Sequence, residues 1–262
     1  LLSRAYVGSS NAVLENVTVS NNAVNGSTGR GGIVVVAEER NGGQAAIDTL
    51  VIDTGQLDGN TTGIAIGTIP SDSSNVDGTY EVTVTGSTIS NGTTGVRIES
   101  GGSATIVDNP TSITGQSTGV DVDGGTALIE NTNLSGNTIG LLIQADGVVD
   151  AGQGVPGSDF TGIGISSGGN DFSSYVAAAT AASGAIVNLN ADVVAGRQGA
   201  PPDVTAQGNT FFSVDLADVE SVVWHDTDVT TLGFVDYAAF GNLSLSLDMN
   251  VINEGDTVEL TG

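Results

Sequence analysis

The sequence predicts an all-β fold, a parallel β-helix, from three observations. A glycine returns in the same surroundings at intervals of 32, 24 and 21 residues, at Gly63, Gly95, Gly119 and Gly140. An isolated aliphatic residue lies six places before each of these glycines, at Leu57, Ile89, Ile113 and Leu134. After each glycine, aliphatic residues alternate with other residues, which is the period of a strand. A repeat of this length with no helical period indicates a solenoid of stacked coils.

The strand after each glycine is expected to point its alternating aliphatic residues into a shared core. These inward pairs are Ile64 and Ile66, Val96 and Ile98, Val120 and Val122, and Leu141 and Ile143. A second strand is expected before each corner, and an inserted loop from Pro70 to Gly78 accounts for the long first interval. The next Gly-Ile-Gly-Ile begins at Gly162, 22 residues after Gly140, and predicts a further coil there, although no aliphatic residue lies six places before it.

The chain divides into two predicted regions. Residues 1–240 form the β-helix, and 170–240 are its terminal coils and cap, because an open coil end is a sheet edge that needs covering. The aromatic residues of this cap are Phe211, Phe212, Trp224, Phe234, Tyr237 and Phe240. The only histidine, His225, is expected to belong to the cap, and Ala177 to Ala182 to form a short helix. Residues 241–262 form a separate C-terminal strand tail, and an unpaired strand there is expected to be able to assemble by adding to a neighbour's sheet edge.

Composition excludes several classes of protein. With 30 acidic residues against 5 basic ones, the net charge of −25 argues against nucleic acid or an anionic membrane as a partner. The absence of cysteine excludes a disulfide scaffold and a thiolate metal site. No apolar run reaches the roughly 18 residues of a transmembrane helix. The acidic surface fits either solubility, since outward charges oppose sheet aggregation, or divalent cations and high salt.

Residues 11–165 resemble the right-handed parallel β-helix repeat of pectate-lyase-like and related secreted bacterial proteins. The likeness is clearest at Glu130-Asn131-Thr132-Asn133-Leu134-Ser135-Gly136-Asn137, followed by Gly140-Leu141-Leu142-Ile143. The final stretch, Asn250 to Gly262, resembles the first strands of an immunoglobulin-like module of bacterial surface proteins. These resemblances imply an extracellular or cell-surface location and a fragment of a larger bacterial or archaeal protein. The repeat is specific for fold but does not indicate function, because enzymes, adhesins and passenger domains share it.

One outward patch is a candidate site. Aligning the coils on Gly95 and Gly119 places Arg97 beside Asp121, and Glu99 beside Asp123, on the outer face of neighbouring strands. Arg97 and Asp121 are expected to form a cross-strand ion pair. Glu99, Asp121 and Asp123 are candidate metal ligands, because Ca²⁺ prefers such carboxylate oxygens. The alternatives are a solvated acidic face without a ligand, or a catalytic centre. No cofactor is expected to be required apart from this optional Ca²⁺.

The sequence favours a non-catalytic structural role over an enzymatic one. A stiff acidic rod is expected to act in cell-surface architecture, adhesion or fibre assembly, through head-to-tail self-association or contacts with other surface domains. The alternative is a carbohydrate-active enzyme, a polysaccharide lyase or glycoside hydrolase, or a carbohydrate-binding module with a polysaccharide partner. The lack of lysine and of an aromatic sugar-stacking cleft counts against that alternative.

Overall fold

The computed structural model shows a right-handed parallel β-helix, which confirms the predicted fold class. It describes residues 2–3, 10–22, 31–35, 47–67, 79–108, 111–153, 159, 161–191 and 204–237. The predicted strand tail 241–262, the inserted loop 70–78 and Phe240 lie outside these residues. Within the described part, no helix is long and apolar enough to cross a membrane.

The described elements are short strands and one helix. In chain order they are β1 (Leu2–Ser3), β2 (Ser10–Glu15), β3 (Thr18–Ser20), β4 (Ile33–Val35), β5 (Ile47–Asp53), β6 (Gln56–Asp58), β7 (Thr62–Ile66), β8 (Thr79–Thr85), β9 (Thr88–Ser90), β10 (Thr94–Glu99), β11 (Gly102–Val107), β12 (Ser112–Thr114), β13 (Thr118–Asp123), β14 (Thr126–Ile129), β15 (Ile139–Gln144), β16 (Val148–Gln153), β17 (Asp171–Phe172), β18 (Gly184–Asn188), β19 (Val204–Gln207), β20 (Thr210–Phe211), α1 (Leu216–Ser221), β21 (Val223–Trp224) and β22 (Val235–Asp236).

These strands stack into parallel sheets along the coil axis. Sheet 1 has eight strands in the order β1-β4-β7-β10-β13-β15-β18-β21, and it contains the glycine-led strands. Sheet 2 has eight strands in the order β2-β5-β8-β11-β14-β16-β19-β22. Sheet 3 has four strands, β12-β9-β6-β3, and bridges through Asn133 carry it on to β17, which pairs with β20. Each coil therefore contributes a strand position to every sheet in turn.

The core consists of aliphatic columns that run along the axis. The predicted inward residues of sheet 1, such as Val96, Ile98, Val120 and Val122, are fully buried in register with one another. The isolated aliphatic residues identified in the sequence form a further column in sheet 3, where Leu57, Ile89 and Ile113 are paired neighbours. The repeat pattern in the sequence predicted these aliphatic positions, but it did not predict that they lie in the short strands β6, β9 and β12.

The corners depend on left-handed backbone and on side-chain amides. Asn91 has φ of +56° at the corner after sheet 3, and the neighbouring coil places Gly115, with φ of +69°, at the matching corner. Asparagine and glycine tolerate this conformation better than other residues do. Beside it, Gln116 Oε1 accepts from the backbone N–H of Gly92 at 2.8 Å, and Asn137 Oδ1 accepts from that of Gln116 at 2.9 Å. Amides therefore connect successive coils through the backbone.

The predicted coil at Gly162 is wrong. Strand β15 pairs instead with β18, so that Ile186 stacks on Leu141. Asp159 captures the backbone N–H groups of Gly162 and Gly164, at 2.7 and 2.9 Å, and these donors are then not used in a strand. The segment instead lies against the outer face of sheet 2, where Gly164 approaches the Leu128 side chain.

The predicted short helix at Ala177 to Ala182 is also wrong, because the chain there makes a turn closed by Thr180 and Ser183. The described helix is α1, whose N-cap Asp215 accepts from the backbone N–H of Ala217 at 2.8 Å. Aromatic residues fill the core near this end of the solenoid. The rings of Phe172 and Phe211 stack with centroids 5.4 Å apart.

Candidate functional site

The candidate patch lies on the outer face of sheet 1, where strand alternation and register bring four charged side chains together. In the pairing of β10 with β13, Arg97 lies opposite Asp121 and Glu99 opposite Asp123, as the sequence alignment predicted. On the next strand, β15, Leu142 and Gln144 occupy the same two positions. The inward neighbours of these residues are buried aliphatic side chains, so the outward direction of the charged ones follows from the core.

Arg97 is the centre of the patch. Its Nε lies 3.2 Å from Glu99 Oε1, one terminal nitrogen lies 3.4 Å from Asp121 Oδ2, and the other contacts Asp123 Oδ2 closely. The predicted pair with Asp121 is present, but as the longest of three contacts. A guanidinium has five donors in a fixed fork, which allows it to serve several carboxylates at once. The like-charged stack is thus relieved by a shared cation from the chain itself.

Asp121 is the most deeply placed member. Its side chain is 6% exposed, compared with 33% for Arg97 and 25% for Asp123. Burial raises the pKa of the Asp121 carboxyl, while the Arg97 guanidinium and the Gln144 amide pull it down. Gln144 Nε2 donates to Asp121 Oδ1 at 2.9 Å. The patch therefore holds one carboxyl group that accepts a proton more readily than an exposed aspartate does.

Arg97 competes with any metal ion at this patch, because its guanidinium already contacts Glu99, Asp121 and Asp123, where a bound cation would neutralise them. Within the described ranges, no group of three or more His, Asp or Glu side chains is arranged to hold a metal ion. Three carboxylates and one guanidinium still leave the patch with a formal charge of −2, counted from its four charged residues. The Ca²⁺ site at these residues remains a prediction, with Arg97 as the competing cation.

A second carboxylate, Asp150, was missed by the sequence reasoning. It is fully buried on the outer side of sheet 2 and accepts from the backbone N–H groups of Gly152 and Ser166, each at 3.0 Å. Thr205 Oγ1 and Gln153 Nε2 donate to it as well, at 2.9 and 2.7 Å. Asp150, on β16, therefore links the end of the outer segment 161–166 to the next coil, at β19. Asp150 is buried by the packing of Ser166 and Thr205 against it, and no local pattern in the sequence predicts these contacts.

A shallow cavity of about 270 Å³ lies on the outer face of sheet 2, beside Gly162 and Ile163. Hydroxyl groups dominate its side-chain lining, together with the carboxylate of Glu81, and the residues are Thr49, Thr83, Ser103 and Thr105. It lies on a different sheet from the Arg97 patch. Such a surface offers hydrogen bonds to a polar ligand but no aromatic platform.

His225 lies in the last described coil, as the sequence predicted for a cap residue, with its ring 1% exposed. Its Nε2 is 3.1 Å from Glu220 Oε2, and its Nδ1 is 2.8 Å from Asp226 Oδ1. Thr227 Oγ1 lies 3.2 Å from Nε2 but also contacts the Glu220 carboxylate closely. Sequence reasoning did not identify Glu220 as a partner of His225. The signal for it was the helix start at Asp215, an N-cap residue followed by Leu216 and Ala217.

Comparison of the chain with protein-family models, with curated proteins and with solved structures found no match.

Proposed function

We propose that this chain is a non-catalytic structural module of an extracellular or cell-surface protein, a stiff acidic rod used in surface architecture, adhesion or fibre assembly. The observation that carries the proposal is the pair of eight-stranded parallel stacks with continuous inward aliphatic columns. In a solenoid each coil supports its neighbours, so length is gained without a new core. The net charge of −25 adds repulsion between the sides of neighbouring rods.

The proposed relatives are the secreted proteins with pectate-lyase-like β-helix repeats. The support is the Gly-led repeat itself together with the stacking of Ile98 on Val122 and then on Ile143. Asn250 to Gly262 is proposed as the start of an immunoglobulin-like module, from its sequence alone. On both assignments, the chain is proposed to be one module of a larger surface protein.

Assembly is proposed to occur head to tail. In the described part of the chain, β3 has a strand neighbour only at β6, and β22 only at β19. Open strand edges invite pairing with another chain. Because the two ends of a solenoid differ, contacts between them are heterologous and extend into fibres unless they close into a ring.

A proline at the first coil tests this assembly. Gln56, the partner of Thr18, donates its backbone N–H to Val17 of the preceding coil, at 2.8 Å. By the same register, the N–H of Thr18 points out of the rod end. Thr18→Pro removes that donor, while the matched control Thr18→Ala keeps it. We expect Thr18→Pro to shorten particles in electron micrographs and in sedimentation velocity, and Thr18→Ala to leave them unchanged. Monodisperse monomers of the unmodified chain at high concentration with Ca²⁺ would refute head-to-tail assembly.

Calcium binding is proposed at Glu99, Asp121 and Asp123, and Arg97 is the residue that tests it. Replacing Arg97 by Gln removes the positive charge shared by the three carboxylates, and carboxylate oxygens are good Ca²⁺ ligands. We expect millimolar Ca²⁺ to raise the thermal midpoint of Arg97→Gln more than that of the unmodified chain. Arg97→Gln combined with Asp123→Asn is the control and is expected to lose the response. Equal Ca²⁺ responses of all three proteins would exclude the site.

The second candidate function is a carbohydrate-active one, and one observation favours it. Asp121, with a raised pKa, lies 3.4 Å from Arg97 on an open sheet face, which is a possible acid-base arrangement. A screen of uronate-rich polysaccharides, read by absorbance of new double bonds and by reducing ends, separates the two functions. A structural rod yields no product. Product formation abolished by Asp121→Ala or Arg97→Ala would replace the structural proposal.

A further inference from the structure

The closing coil is held by an imidazole ring between two carboxylates. His225 follows β21, and its ring is packed edge-on against Tyr237, with ring centroids 5.8 Å apart. Nε2 lies 3.1 and 3.2 Å from the two oxygens of Glu220 on α1. Nδ1 lies 2.8 Å from Asp226 Oδ1 in the turn that leads towards β22. The buried ring of His225, which follows β21, thus contacts both helix α1 and the turn after β21.

The protonation of this ring decides whether those contacts attract or repel. Carboxylate oxygens only accept hydrogen bonds, and a neutral imidazole has a single N–H. If Nδ1 carries that hydrogen, the bare Nε2 faces Glu220 Oε2 at 3.1 Å. If Nε2 carries it, the bare Nδ1 faces Asp226 Oδ1 at 2.8 Å, lone pair against oxygen. That oxygen is buried and receives no hydrogen bond of good geometry. The backbone N–H of Val235, 3.3 Å from Nδ1, compensates the ring nitrogen but not Asp226. An imidazolium instead presents positive charge to both carboxylates.

We propose that protonated His225 is a proton-dependent latch that holds α1, β21 and β22 together at the end of the rod. Within the described residues, charged and titratable groups face the ring from the helix, the turn and the end of β22. Glu220 comes from α1, and Asp226 lies in the turn. Asp228 accepts the backbone N–H of His225 at 3.1 Å. The Tyr237 hydroxyl donates to Glu220 just after β22. Two acidic side chains against one ring make the proton part of the closed structure.

The direction of the pH dependence follows from proton linkage. Under this proposal, loss of the ring proton replaces attraction to Glu220 and Asp226 by repulsion, so the closed coil is expected to become less stable as pH rises. The opening equilibrium constant is expected to rise by up to about tenfold per pH unit over the responsive range. The chain has one histidine and no cysteine, so few other groups titrate between about pH 6 and pH 9. The response can therefore be assigned to this site.

Native-state hydrogen exchange tests the latch from about pH 6 to about pH 9, a range that spans ordinary imidazole titration. Exchange is corrected for the intrinsic pH effect and followed at Val235 and Trp224 in the closing coil. Val96 and Val122 in the middle of the rod are the internal control. We expect opening of the closing coil to increase with pH while the middle of the rod stays constant. Trp224, the only tryptophan, reports the same opening by fluorescence.

Two variants give the matched comparison. His225→Gln cannot be protonated and is expected to exchange rapidly at every pH, with no slope. Asp226→Asn retains the histidine but removes the facing charge, and it is expected to flatten the slope while the coil stays closed at high pH. If His225→Gln fails to fold, Asp226→Asn alone decides. A flat exchange profile of the unmodified chain, or an unchanged slope in Asp226→Asn, would overturn the proposal.

Discussion

The regular coils between Thr79 and Gln153 and the closing part between Thr161 and Tyr237 are stabilised in different ways. In the regular coils the same contact recurs in each turn, with one aliphatic side chain stacked on the next. Backbones there approach so closely that a Cβ added at Gly95 would lie 2.5 Å from the carbonyl oxygen of Gly119. In the closing part the aliphatic columns continue, with Val223 on Ile186 and Val235 on Val204. Aromatic stacking and an α-helix are added to them there.

The difference shows how a solenoid ends. A repeated coil needs only short inward side chains, because the coils above and below complete its core. A terminal coil lacks one of those neighbours and must be fixed by specific contacts. Both parts of the chain bury polar side chains, and those of the closing part are Ser166, Asn170, Asn188, Asn190, Thr205, Asn209 and His225. Hydrogen bonds of this kind are costly to leave unmade, and they make single residues decisive.

Truncation of Phe172 is expected to have the largest effect. The ring is fully buried and stacks on Phe211, so Phe172→Ala should lower the free energy of unfolding by about 3–5 kcal/mol. Phe212→Ala, at a partly buried neighbour, is the control and should cost less. Urea denaturation followed by Trp224 fluorescence and by far-ultraviolet circular dichroism measures both. Coincident losses in the two variants would mean that Phe172 is not a decisive contact.

Replacement of Asp150 is expected to have the next largest effect. Asp150→Asn retains one acceptor oxygen but loses the charge and part of the four hydrogen bonds, at a cost of about 2–3 kcal/mol. Asp146→Asn, at an exposed corner with φ of +65°, is the matched control and should be neutral. The same urea titration compares them. Equal stability of the two variants would show that the hydrogen bonds of Asp150, including the one from Ser166, do not stabilise the packing of the segment 161–166.

The sequence predicts the repeating part well and the unique part poorly. Strict alternation and a fixed glycine position were sufficient to place Arg97 opposite Asp121, because register follows the buried face. They did not show that Arg97 bridges Glu99 and Asp123 too, since a side-chain rotamer is set by all of its neighbours at once.

The failure at Gly162 has the same origin. Gly-Ile-Gly-Ile has the strand pattern, but Asp159 binds its backbone donors and the segment packs outside the coil. One local difference from Gly140 is present, because Pro156 and not an aliphatic residue lies six places before Gly162, but the contact with Asp159 is not visible in the repeat pattern. Asp150 and the Glu220–His225 contact are likewise created by chain segments that meet only after folding.

Replacement of Asn91 tests the corners of the regular coils. Because its φ is +56°, Asn91→Ala should cost about 1 kcal/mol relative to Asn91→Gly, which adopts this conformation freely. Both variants lose the hydrogen bond from Asn91 Nδ2 to Asp58, so that loss cancels in the comparison. Thermal unfolding of the pair measures the difference. Identical midpoints would show that the corner does not depend on the left-handed residue.

Replacement of Asp121 by Asn is expected to have the smallest effect, a change in pH dependence. Because burial raises the pKa of Asp121, the folded state takes up its proton at a higher pH than the unfolded state does. Stability from this group is therefore largest at acid pH and is lost as pH rises through the folded-state pKa. Asp121→Asn removes that contribution to the slope, while its amide oxygen can still accept from Gln144.

The measurement is the urea midpoint of the unmodified chain and of Asp121→Asn from about pH 4 to about pH 7, the range above the ordinary aspartate value. Asp123→Asn, on the same strand and also in contact with Arg97, is the matched control and should retain the Asp121 contribution. A difference between Asp121→Asn and the unmodified chain that does not change with pH would mean that Arg97 and Gln144 fully offset burial.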